Sequence, residues 1–128
     1  MQSQRVTEYD LMEAVRHRRY SVLRRLLQAK GNPNTQTQYG NLLERAVDTK
    51  AVGVDETVAT LIEFGANVTR GFPLHIAASH QQLDAARMLI KAGADPCKQD
   101  TQGVSAIDIA SSVNDREMVN MMMFHTDY

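Results

Sequence analysis

A chain of 128 residues with 43% hydrophobic and 23% charged side chains is long enough for one modest core and too apolar to persist as a disordered tail. Its single cysteine, Cys97, excludes an intrachain disulfide and an all-cysteine zinc cluster. The net charge of -1 exerts no overall pull on nucleic acid or anionic membrane, yet residues 1–34 hold seven Lys/Arg against three Asp/Glu and the remainder seven against twelve.

The chain opens on MQSQRVTEYD, which has no apolar signal-peptide core, and no later apolar run reaches the roughly 18 residues that span a membrane. The expected location is a reducing one, the cytoplasm; removal of a signal peptide ahead of Met1, or export as an effector, stays open. Asp10-x-x-Glu13 reads as a capping box that starts a first helix through Leu11–Val15. The basic run RHRRYSVLRR, Arg16–Arg25, then leads through a turn into a second helix ending in LLQAKGNPN. Arg24 and Arg25 are expected to solvate the N-terminal end, Arg25 standing where the third and fourth copies have Met88 and Met121.

GNLLERAV, Gly40–Val47, and VATLIEFGANV, Val58–Val68, form the next helix pair, with about three extra residues within Asp48–Glu56 lengthening the turn between them. The third pair is the plainest. Pro73 suits a first helical turn, where its missing N–H is no loss. Ala77 and Ala78 let neighbouring helices approach, and Ala85, Ala86, Leu89 and Ile90 share one face of the following helix. Gly93 ends that helix in the left-handed conformation, and Asp95-Pro96 turns the chain outward. In the last pair AIDIAS, Ala106–Ser111, is followed by the apolar MVNMMMF, Met118–Phe124. Met118, Val119, Met122 and Met123 are expected in the core, which leaves Met121 and Phe124 for a partner or a second copy of the chain.

These pairs are copies of one unit. A shift of 33 residues lays Leu74, Ile76 and Ala77 on Ile107, Ile109 and Ala110, and Leu89 and Ile90 on Met122 and Met123. A shift of 63 lays Ala14 on Ala77, Leu26 and Leu27 on Leu89 and Ile90, and Pro33 on Pro96. The second copy aligns at 31 in its first half and 28 in its second. With its Pro-Leu-His-x-Ala-Ala helix and its Leu-Ile-x-x-Gly-Ala-Asp ending, the unit resembles the ankyrin repeat over about 120 residues. The resemblance implies an all-α solenoid of four stacked helix-turn-helix units with β-turn fingers. It forms one domain, 1-128, with repeats at approximately 9-38, 39-69, 70-100 and 101-128, the first and last acting as caps.

Two departures bear on function. Only VTRGF separates Asn67 from Pro73, whereas PCKQDTQGVS separates Asp95 from Ala106, so the third finger is cut short and a notch floored by Arg70 and Phe72 is expected. Phe72 also replaces the threonine whose hydroxyl, in the family, caps the helix and bonds the following histidine, here His75. That aromatic either packs over the short loop or anchors an interface.

Catalysis requires a nucleophile with its base, paired carboxylates or metal ligands at workable spacing. Cys97 sits in a finger turn with no base directed to it and reads as a spectator thiol. His75 and His80 lie five residues apart, not at the i, i+4 spacing of a helical metal pair, and no glycine-rich phosphate loop occurs. No catalytic residue, cofactor or metal is expected. The basic run near the N-terminus has no counterpart in later copies, which argues against nucleic acid and favours an acidic protein surface.

The resemblance therefore implies a non-enzymatic module that binds a partner protein through its concave finger and first-helix face. The residues at variable positions there are Arg16 and His17; Gln36, Gln38, Tyr39, Asp48 and Thr49; Arg70, Phe72, Ser79 and His80; and Gln99, Thr101, Gln102, Val104, Ser112 and Val113. Binding energy is expected to concentrate in Tyr39, Arg70 and Phe72, with Arg16 steering charge. The leading expectation is a small binder that modulates or inhibits one partner, as an immunity-type inhibitor or an effector does. The alternative is a subunit that self-associates through Met121 and Phe124.

Overall fold

The computed structural model describes residues 6–49 and 51–124. Among them eight helices follow one another in pairs: α1 (Glu8–Arg16) with α2 (Tyr20–Gln28), α3 (Leu42–Val47) with α4 (Val54–Glu63), α5 (Pro73–Ser79) with α6 (Leu83–Lys91), and α7 (Ala106–Ser112) with α8 (Arg116–Phe124). The first members pack in a row, α1 on α3 on α5 on α7, and the second members in a parallel row, α2 on α4 on α6 on α8. A helix of six to ten residues is too short to persist alone in water, so this two-layer stacking is what makes the units stable. One continuous core runs between the layers, from Leu11 and Leu23 through Leu61 and Leu89 to Met118 and Met122.

The small residues placed on the inner row do what their size suggests. Ala46, Ala77, Ala78 and Ala110 are wholly buried, where a larger side chain would hold successive inner helices apart. The outer helices end alike: the amides of Gly93 and Ala94 return to the carbonyls of Ile90 and Leu89, and Gly65 and Ala66 repeat the pattern in the second copy. In the first copy the left-handed position is filled by Lys30, at φ 74°. Replacing Lys30 with glycine is therefore expected to stabilise the fold by about 1 kcal/mol, read as a higher denaturation midpoint at unchanged slope.

Three expectations about the ends change. The first capping box is Thr7 with Asp10, not Asp10 with Glu13: the Asp10 amide donates to Thr7 Oγ1 at 3.1 Å and the Thr7 amide to Asp10 Oδ2 at 3.0 Å, so α1 begins earlier than the register implies. Arg24 does not face the open N-terminal end. Its guanidinium grips the Glu63 carboxylate of the next outer helix at 2.7 and 2.9 Å and lies 5.7 Å from the centre of the Phe64 ring, while Arg25 is the exposed one. That hydrogen-bonded guanidinium holds the Glu63 carboxyl below the usual carboxylate range. At the other end Met118 and Met122 are buried and Met121 half-buried, but Met123 is 55% exposed. The apolar surface there is Met123 with Phe124, not Met121 with Phe124.

The turn between α3 and α4 spans residues 48–53, against 80–82 between α5 and α6, which is the three-residue insertion. It is pinned from both sides. Arg18 Nε donates to the Val52 carbonyl at 3.0 Å, and from the third copy the side chain of Gln82 donates to the Thr49 carbonyl and His80 Nε2 meets Asp48 Oδ1 at 2.9 Å.

Candidate functional site

The fingers differ in build. In the second copy β1 (Gln36–Thr37) pairs antiparallel with β2 (Gly40–Asn41), Gln36 opposite Asn41 and Thr37 opposite Gly40. Thr37 Oγ1 donates to the Gly40 carbonyl at 2.8 Å and accepts the Tyr39 amide at 3.0 Å. That tight tip presents Tyr39 to solvent, 60% exposed, beside Gln38. The fourth finger closes by a bridge between Gln99 and Ser105 and is braced by Asp100, whose Oδ1 accepts the amides of Gln102 at 2.8 Å and Val104 at 3.0 Å. Those two amides, Val104 foremost, hold the Asp100 carboxyl below its ordinary range, with partial desolvation opposing them. A folded value below the unfolded one makes the stabilisation present above the ordinary aspartate pKa and lost as pH falls through the lower folded value. An NMR titration is expected to place the Asp100 midpoint below that of an aspartate in a disordered peptide.

The short third finger is not an open notch. Lys98, from the start of the next finger, donates from Nζ to the carbonyls of Thr69 at 2.8 Å and Gly71 at 3.0 Å and stands 4.8 Å from the centre of the Phe72 ring. Phe72 is half-buried under it and meets the His75 ring edge-on, centroids 5.1 Å apart. The aromatic therefore packs over the loop, the first of the two roles open to it, and Arg70 alone of the expected pair is exposed.

Phe72 also gives α5 no side-chain cap. Instead the amide of Phe72 itself is taken up from across the repeat boundary by Glu44, a residue absent from the expected site. Glu44 Oε1 accepts the Asn41 amide at 2.8 Å, Asn41 Oδ1 accepts the Glu44 amide at 2.8 Å, and the second carboxylate oxygen accepts the Phe72 amide at 3.0 Å. Asn41 Nδ2 then donates to the Arg70 carbonyl at 3.0 Å, so one Asn–Glu pair both starts α3 and positions the third finger. His75, buried, uses Nε2–H to reach the Val104 carbonyl at 3.0 Å, and its Nδ1 has no partner, as expected where the hydroxyl is missing.

Along the inner helices, residues at matching register positions form rows. One row is Arg16, Asp48, Ser79 and Ser112; the next is His17, Thr49, His80 and Val113. Both lie at the helix ends remote from the fingers, so the finger residues Gln38, Tyr39, Arg70, Thr101, Gln102 and Val104 are separated from them by the length of an inner helix. What bridges the gap is a third row, Glu13, Arg45, Ile76 and Ile109, half-buried throughout. Arg45 lies 5.8 Å from the centre of the Tyr39 ring and bonds Asp48 at 3.1 Å, and Asp48 in turn meets His80 at 2.9 Å. A continuous strip of Tyr39, Arg45, Asp48 and His80 thus runs from a fingertip to the far edge across two repeats. Glu13 similarly collects Arg16 and His17, each at 3.3 Å. The signal for Arg45 and Glu13 was their shared register with Ile76; periodicity names the row but not the side chains that meet.

Cys97 is exposed in its turn, its amide donating to Asp95 Oδ1 at 2.9 Å. Among the described residues no group of three or more His, Cys, Asp and Glu is placed to hold a metal ion, and no helix is long and apolar enough to cross a membrane. Comparison with curated proteins gave no match. Against family models, one described as ankyrin repeats in three copies matches residues 11–100 and, in an overlapping placement, 49–128.

Proposed function

The chain belongs to the ankyrin-repeat family, whose repeats are protein-interaction modules, and from that premise we propose that it is a non-enzymatic binder that docks one partner protein on its finger and inner-helix face and thereby modulates or inhibits it. The observation that carries this reading is the strip of Tyr39, Arg45, Asp48 and His80, in which each side chain is already held by the next. Side chains ordered before binding lose less freedom on docking, and tyrosine and arginine are the residues on which interface energy concentrates. Arg70 adds a guanidinium that forms no ion pair among the described residues, on a backbone fixed by Asn41. Arg16 extends the surface to one side, and Thr101 and Gln102, both exposed, extend it to the other.

The test is affinity capture from lysate with identification by mass spectrometry, wild type against a Tyr39→Ala, Arg70→Glu double variant. Both side chains are exposed, so the fold is retained. A partner recovered by wild type and lost with the variant supports the assignment; equal recovery of the same partner by both places the interface elsewhere. Phe72 is left intact because its ring is part of the packing.

A further inference from the structure

The two ends of the stack carry an inference that does not depend on the inner face. Each repeat buries one side against its predecessor and the other against its successor, so a terminal repeat compared with an interior one shows what the stack leaves open. In the third repeat Leu74, Ala78, Ala86 and Ile90 are all buried, Ile90 the least at 7% exposure. Thirty-three residues on, their counterparts Ile107 and Val119 are half-buried, Ser111 is exposed and Met123 is 55% exposed, with Phe124 beside it at 59%. Ser111 and Val119 line a depression of about 430 Å³ in this end, together with Asn114, Asp115, Arg116 and Asn120. Three of the four open positions keep the apolar character of an interior repeat.

The opposite end is open in the complementary way. Val22 and Leu26 stand where the third repeat has the fully buried Ala85 and Leu89, and both are half-buried. The charges flanking the two ends are opposite. Arg19 and Arg25 are exposed beside the N-terminal apolar residues, whereas the fourth repeat's described residues carry Asp108, Asp115 and Glu117 against Arg116 alone.

We propose that the C-terminal end of one molecule stacks on the N-terminal end of a second copy, Ile107, Val119, Met123 and Phe124 covering Val22 and Leu26, with Asp115 and Glu117 drawn to Arg19 and Arg25. Pairing two C-terminal ends instead brings like charges together, which disfavours a symmetric dimer. Since the surfaces in contact differ, every added copy exposes a fresh end and association does not close.

Sedimentation velocity of the 128-residue chain, from micromolar to millimolar, tests this with two exposed-site variants, Met123→Glu and the charge reversal Arg19→Glu with Arg25→Glu, each checked for unchanged helical circular dichroism. Wild type is expected to form a concentration-dependent ladder beyond the dimer, and each variant alone to remain monomeric. An equimolar mixture retains one intact end of each kind and is expected to stop at a 1:1 dimer. A wild type that stays monomeric at millimolar concentration, a ladder that ends at the dimer, or an Arg19→Glu, Arg25→Glu variant that still dimerises alone each overturns the proposal.

Discussion

Leu61→Ala and Leu89→Ala are each expected to lower the free energy of unfolding by about 2–5 kcal/mol, a large share of the roughly 5–15 kcal/mol that a domain of this size holds. Both side chains are wholly buried, on outer helices α4 and α6 that pack against each other and against the outer helices on either side. In a stack, stability is close to a sum of repeat terms and nearest-neighbour contacts, so a cavity in an interior repeat weakens two boundaries at once. Met123→Ala, at the same register position as the buried Ile90, is the contrast: its side chain is 55% exposed, and the change is expected within about 0.5 kcal/mol. Chemical denaturation followed by circular dichroism reads all three. A Leu89→Ala loss no larger than that of Met123→Ala would show that the cohesive energy lies outside this layer.

The contrast between Met123 and Ile90 also shows where the sequence is legible. Helix positions, the glycine ends of the outer helices and the alanine contacts of the inner row follow from the residue at each position, because backbone conformation and close approach depend on that residue's size and flexibility. Exposure at the ends does not. Met123 is apolar like its interior counterpart, and it is open because no further helix packs over it among the described residues. Arg24 fails for the same reason in reverse: its spacing puts it on an outer helix, but a carboxylate 39 residues away on the next helix draws it inward. The binding strip is intermediate. Tyr39, Asp48 and His80 stand out as variable positions, while Arg45, which joins them, is recognisable only once its distances to the Tyr39 ring and to Asp48 are measured.

Gly71→Ala is expected to cost about 3–5 kcal/mol, combining a left-handed backbone with broken bonds to a charged group. At φ +70° the added Cβ would lie 2.8 Å from Glu44 Cδ and Oε2 and 2.9 Å from Asn41 Nδ2, so it displaces the pair that caps α3, holds the Phe72 amide and fixes the Arg70 carbonyl. Gly93 separates the two contributions: it has φ +113° and nothing within 4 Å of the added atom, so Gly93→Ala is expected to cost only the backbone share, about 1–2 kcal/mol. If Glu44 is the joint between the repeats, Glu44→Ala combined with Gly71→Ala is less destabilising than the sum of the two alone, by a coupling of about 1 kcal/mol or more in a double-mutant cycle. Strict additivity would show that the glycine serves its own turn and that the third finger is positioned by Lys98 from the other side. Because Arg70 is carried on that joint, weakened partner capture by Gly71→Ala at a temperature where it remains folded, with capture by Gly93→Ala unchanged, separates a misplaced finger from a merely less stable one.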